Sequence, residues 1–83
     1  MRIYDYKGQR NLCGRKIRKL RLAKKMSQGE LAAKVQVEEL MLERDNISRI
    51  ELGTRFVTDY ELLVFARVLG VSMEELMEVP EQE

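Results

Sequence analysis

The sequence predicts an all-α domain of five short helices, and three observations carry that prediction. Apolar residues recur at spacings of three and four along most of the 83-residue chain, the period of a helix buried on one side. Ser/Thr-x-x-Glu patterns at Ser27, Thr58 and Ser72 each mark a helix start. Punctuation is sparse: one proline, Pro80, and five glycines are too few for strands joined by tight turns.

The first helix is read over 11–25, where Cys13, Ile17, Leu20 and then Ala23 or Lys24 repeat at four and three. Ser27 opens the second. Its hydroxyl is placed to accept from the third amide of that helix while Glu30 reaches back to the cap, and Leu31, Ala32 and Val35 give the inner face. The third carries Ile47, Ile50 and Glu51 on one side and stops at Gly53. Thr58 opens the fourth, with Leu62, Leu63, Ala66 and Leu69 inward and Gly70 as a left-handed end. Ser72 opens a last short helix carrying Leu76 and Met77. The domain so read occupies 11–79. Residues 1–10 have no period and read either as a frayed end or as a segment packed on the domain through Tyr4 and Tyr6; 80–83 form a polar tail.

Composition narrows the function. No histidine is present, which removes the commonest general base and the commonest metal ligand together. The single cysteine, Cys13, can form neither an internal disulfide nor a zinc site, and on an apolar stripe it reads as a small core residue. Met26, Met41, Met73 and Met77 read as core or interface filler. No glycine-rich phosphate loop and no nucleophile beside a base can be found, so the chain is read as a non-enzyme without metal or cofactor. No apolar run approaches signal-peptide or membrane-span length, and the unpaired cysteine suits a reducing cytoplasm. Since nothing follows Glu83, no separate effector-sensing domain and no small-molecule effector are expected.

A net charge of +1 argues at first against a polyanionic partner. The charge is segregated, however. Residues 1–36 hold eleven basic and two acidic residues, a balance of +9, and residues 37–83 hold four basic and twelve acidic, a balance of −8. A basic half of that strength can meet nucleic acid, although Arg15, Lys16, Arg18, Lys19 and Lys24 would also suit a solvated helix face.

The spaced elements Ser27-Gln28-Gly29-Glu30-Leu31-Ala32 and Ile47-Ser48-Arg49-Ile50-Glu51-Leu52-Gly53 decide between these. With Arg21 before them and the fourth and fifth helices behind, they resemble the Xre family, the helix-turn-helix regulators of the Cro and phage-repressor type, from about Gly14 to Met77. The resemblance implies a five-helix DNA-binding domain whose second helix lies at the phosphates and whose third enters the major groove by its N-terminal part. It makes Arg44, Asp45, Asn46 and Arg49 the base readers, and the chemistry agrees: arginine suits guanine and asparagine suits adenine. Asp45 has a second reading, as a partner that orients Arg44 or Arg49. Ser27, Gln28, Ser48 and Arg55 are then the phosphate contacts, since amides at a helix N-terminus attract phosphate and a side chain past the cap adds a donor. The resemblance also pairs Arg21 with Glu51 structurally; both sit on otherwise apolar faces, where an unpaired charge is costly.

One departure stands out. A helix-turn-helix commonly joins its two helices through about three to four residues, and here the connection, 35–43, is about five longer. A subgroup shares such an insertion, usually with glycine near the position of Glu39. Without it, helix two either runs on toward Leu40 or turns in another way, which leaves the start of the recognition helix open by a residue or two.

These features give a sequence-specific regulator of double-stranded DNA, a small repressor acting as a homodimer. One helix reads only about four to six base pairs, so two half-sites about 34 Å apart are needed. The acidic, Met- and Leu-rich end at 71–79 is the candidate dimer surface. The competing reading is a protein-interaction module on the same fold, an anti-repressor or antitoxin, favoured by Glu38, Glu39, Glu43 and Asp45 near the turn. A minor-groove arm through Arg2 and Lys7 is only weakly indicated.

Overall fold

Five helices follow one another through residues 6–78, the part of the chain that this computed structural model describes. They are α1 (Gly14–Ala23), α2 (Gln28–Val37), α3 (Arg44–Leu52), α4 (Asp59–Leu69) and α5 (Met73–Leu76), and no strand lies among the described residues. Tyr4, Arg2, Val79 and the tail at 80–83 fall outside them.

Side-chain caps set the starts. The Ser27 hydroxyl accepts from the Glu30 N–H at 3.0 Å while the Glu30 carboxylate accepts from the Ser27 N–H at 2.7 Å. Thr58 and Glu61 repeat the exchange at 3.3 and 3.0 Å. Ser72 makes the forward bond alone, accepting from the Glu75 N–H at 3.0 Å. Helix α1 begins at Gly14 rather than at residue 11, because the Asn11 side chain accepts from the Gly14 N–H at 2.7 Å and holds the chain in a turn before the helix.

One backbone device closes the first four helices. In each, a residue with positive φ follows the last turn and its neighbour donates five residues back: Met26 to Arg21, Leu40 to Val35, Thr54 to Arg49 and Val71 to Ala66. Glycine fills the left-handed position twice, at Gly53 and Gly70, but Lys25 (φ 58°) and Glu39 (φ 68°) fill it in the other two. So α2 ends at Val37 and does not run on toward Leu40; Glu39 adopts the conformation that a glycine would take more readily.

Beyond that turn the lengthened connection is pinned by alternation. Leu40 and Leu42 are buried, Met41 between them is exposed, and the Gln36 amide donates to the Leu42 carbonyl at 2.8 Å. The core they join contains Ile17, Leu31, Val35, Ile47, Ile50, Phe65, Leu69 and Leu76, with Cys13, Ala32 and Ala66. Helices α1 and α2 both pack on α3 and α4, and α5 packs on α4. Burial pushes the Cys13 thiol up to about 11, the state of an inert core residue.

Several inward assignments are corrected. Leu63 is exposed and Phe65 is fully buried, with Glu61, Ala66 and Leu69 completing the inner face of α4. An unbroken apolar run from Leu62 to Ala66 carries no phase, and the ring removes the most apolar surface from water. Leu62 and Leu20 are only partly buried. Ala23 and Lys24 are exposed; of the methionines read as core or interface filler, Met26 is partly buried against the core, while Met41, Met73 and Met77 are exposed.

Candidate nucleic-acid interface

Helix α3 divides cleanly. Ile47, Ile50 and Glu51 face inward. Asp45, Ser48, Arg49 and Leu52, at spacings of three, four and seven, form one outward stripe, and Arg44 flanks it at the N-terminal end. Leu52 is 69% exposed. Nothing in the motif from Ile47 to Gly53 singles out Leu52 as an outward position.

The start of α3 falls at Arg44, with Glu43 as its cap residue. The Asn46 side-chain oxygen accepts from the Glu43 N–H at 2.8 Å. That bond commits the oxygen to the cap and leaves the Nδ2 donors free, so Asn46 offers a base one half of the bidentate adenine pattern. Asp45 lies in the first turn, where its charge complements the positive helix end. The acidic Asp45 thus has a local structural reason.

Behind this face lies a buried polar core. The Arg21 Nε donates to Glu51 Oε2 at 2.7 Å, its Nη2 to Glu51 Oε1 at 2.9 Å, and its Nη1 to the Met26 carbonyl at 2.7 Å. Both side chains are nearly inaccessible. The bond to Glu51 holds the Arg21 guanidinium above its ordinary value, against the pull of burial. Gln28 extends the network outward: its Nε2 donates to Glu51 Oε1 at 3.1 Å, and its Oε1 accepts from Arg44 Nη1 at 3.4 Å. Gln28 therefore links the first turn of α2 to the first residue of α3. Arg18 reaches toward the same carboxylate at 3.9 Å.

Ser27 and Ser48 remain at the surface, Ser27 exposed at the N-terminus of α2 and Ser48 half-buried. Arg55 is placed otherwise than the sequence suggested. Its Nη1 donates to Glu61 Oε1 at 3.0 Å and to the Phe56 carbonyl at 2.8 Å, and its Nη2 donates to Glu61 Oε2 at 3.1 Å. Burial raises the Glu61 carboxyl, but the Arg55 fork and the Thr58 amide together outweigh it and hold the group below its ordinary value. Arg55 is thus a strut between the α3–α4 turn and α4, and a phosphate there meets only its remaining N–H edge. Nothing in a sequence that separates Arg55 from Glu61 by five residues announces this fork.

The arrangement presents a helix face bearing Arg44 and Arg49 beside Asp45, over a rigid, internally neutralised base, with the exposed, Ser27-capped N-terminus of α2 beside it. That is the chemistry of groove and phosphate recognition. Among the described residues no group of side chains could hold a metal ion, and no helix is long and apolar enough to cross a membrane.

A family model described as a helix-turn-helix domain matches residues 13–79. Among solved structures the chain is similar to the restriction-modification controller protein C.AhdI from Aeromonas hydrophila. The identity is 33% and the TM-score 0.66, over 76% of this chain and 84% of that one. A search among curated proteins finds no match. Together with the two-helix geometry, these findings show that the chain belongs to the helix-turn-helix domain family, in its Xre branch of Cro and phage-repressor type, and is a DNA-binding transcriptional regulator.

Proposed function

We propose that the chain is a sequence-specific repressor that acts as a homodimer in the cytoplasm, by binding alone and without cofactor or small-molecule effector. The observation that carries this reading is the outward stripe of α3, with Arg49 exposed at its centre and Arg44 at its entry. Arg44 and Arg49 recognise guanine edges, Asp45 accepts from a cytosine amino group, and Asn46 donates to adenine. Ser27, Gln28 and Ser48 hold phosphates, with Arg55 a lesser contact through its free edge. Likeness to a restriction-modification controller supports genes of such a system as the targets.

The α4–α5 side supports the dimer, since Tyr60 and Leu63 on α4 and Met73 and Met77 at α5 keep apolar surface exposed. The surface read at 71–79 overlaps this only in part, because Leu76 is consumed by the core. Selection of bound duplexes from random DNA tests the reading. Two related half-sites about one helical turn apart, near 34 Å, are expected. An unpaired half-site contradicts the dimer. Absent or salt-insensitive binding by folded protein favours the interaction module, for which exposed Glu38, Glu39 and Glu43 are the support.

A further inference from the structure

Residues 1–12 lie outside the span that the helix-turn-helix model matches, yet 6–12 are tied to the end of the recognition helix. Tyr6 and Gln9 exchange backbone bonds at 2.8 and 2.9 Å. Between them Lys7 and Gly8 both have positive φ, 52° and 83°, as the mirror-image hairpin turn requires. Arg10 then donates its N–H to the Gly53 carbonyl at 2.8 Å. The Asn11 amide donates to the carbonyls of Ile50 and Arg55 at 3.0 and 2.8 Å. The Arg10 guanidinium lies over the Phe56 ring, 5.5 Å from its centre. Lys7 and Arg10 are both exposed, and neither makes an ion pair among the described residues.

We propose that this anchored turn is a second DNA-contacting element, in which Lys7 and Arg10 bind phosphates at the rim of the groove that α3 enters. The proposal rests on the placement of α3 in the major groove. The nine residues of α3 span roughly 13 Å, and the groove is about 12 Å wide. A helix that enters by its N-terminus therefore brings its far end, and whatever is fastened to Gly53 and Arg55, close to the bordering phosphates. The Arg10 guanidinium lies over the Phe56 ring, is exposed and makes no ion pair among the described residues, so its N–H groups are available to a phosphate. Lys7 stands at the tip of a turn closed by two hydrogen bonds, so little side-chain-bearing backbone remains to be ordered on binding. Contacts of this kind add affinity and footprint but no base discrimination.

The test is fluorescence anisotropy of the full chain on a selected operator duplex and on an unrelated duplex, across a salt series, with hydroxyl-radical footprinting. Lys7→Ala and Arg10→Ala are each expected to lower the slope of log K against log salt by about 0.9, and to weaken both duplexes alike, on the order of fivefold at 0.15 M salt. Arg10→Lys keeps the charge and should keep the slope, and Lys7→Glu should weaken binding further than Lys7→Ala. The footprint of the double variant should shorten at the rim of each half-site. A double variant with wild-type slope and footprint overturns the proposal. If Arg10→Ala lowers the melting temperature, Lys7→Ala alone decides it, since that side chain is solvent-exposed. Wild-type protein that binds neither duplex would instead remove the reading of α3 and the proposal with it.

Discussion

Glu39 stands at φ 68°, in a turn that satisfies the last carbonyls of α2 through the Leu40 and Glu39 N–H groups. A side chain in that region costs about 1–2 kcal/mol against the right-handed conformation, and a carboxylate at a helix C-terminus opposes the helix dipole as well. Glu39→Gly should raise stability by about 0.5–1 kcal/mol, read as a higher denaturant midpoint at unchanged slope. Gly14 presents the opposite case. A Cβ there would collide with the Ile50 carbonyl oxygen, so α1 can approach the end of α3 this closely only at a glycine. Gly14→Ala should lower stability by about 1–3 kcal/mol in the same measurement, because backbone rather than a flexible side chain must give way. A result near zero at Gly14 would mean that the two helices are not held at this distance.

At the scale of the elements, the ties between turns and helices carry a pH dependence. The folded-state value of Glu61 lies below its ordinary 4.5, so its contribution to stability is complete above that value and is lost as pH falls through the lower, folded one. Glu61→Gln should flatten the stability profile below about pH 4.5 and cost about 1–3 kcal/mol at neutral pH, where it leaves Arg55 without its carboxylate. Thermal melts from pH 7 down to pH 3 on both proteins check this. How far these elements were legible in the sequence follows from how local their causes are. The starts of α2 and α4 could be read because a cap and its return partner lie three residues apart. The phase of α4 could not, because the consecutive apolar residues from Leu62 to Ala66 look alike until Phe65 is set against the core. The shape of the lengthened connection was equally hidden, since Glu39 in a left-handed turn contradicts its own propensity. Nor could the anchoring of Asn11 be read, its bonds spanning 39 and 44 residues. At the interface, Arg49 and Arg44 were visible as cations on a helix face, while Leu52 and the commitments of Asn46 and Arg55 emerged only with the packing.

For the molecule as a whole, the segregated charge is partly cancelled inside the fold. Glu51 takes Arg21 and Arg18 from the basic half, and Glu78 takes Lys16 at 2.9 Å. Arg15, Lys19, Lys24, Lys25 and Lys34 stay exposed and carry the uncancelled positive charge of the basic half. A net charge of +1 therefore describes neither side of the domain. If phosphate contacts and base contacts reside in different residues, as proposed, binding should weaken steeply with salt while discrimination between duplexes persists. Base reading by the outward stripe of α3 is decided by binding of wild type and Arg49→Ala to a set of operator duplexes, each carrying a single base change, across a salt series. A loss of about 1–3 kcal/mol is expected, falling on one base position of each half-site, with the salt slope unchanged. A uniform loss on every duplex with the slope reduced by about one would show Arg49 on a phosphate instead, and would remove base reading from the centre of the stripe.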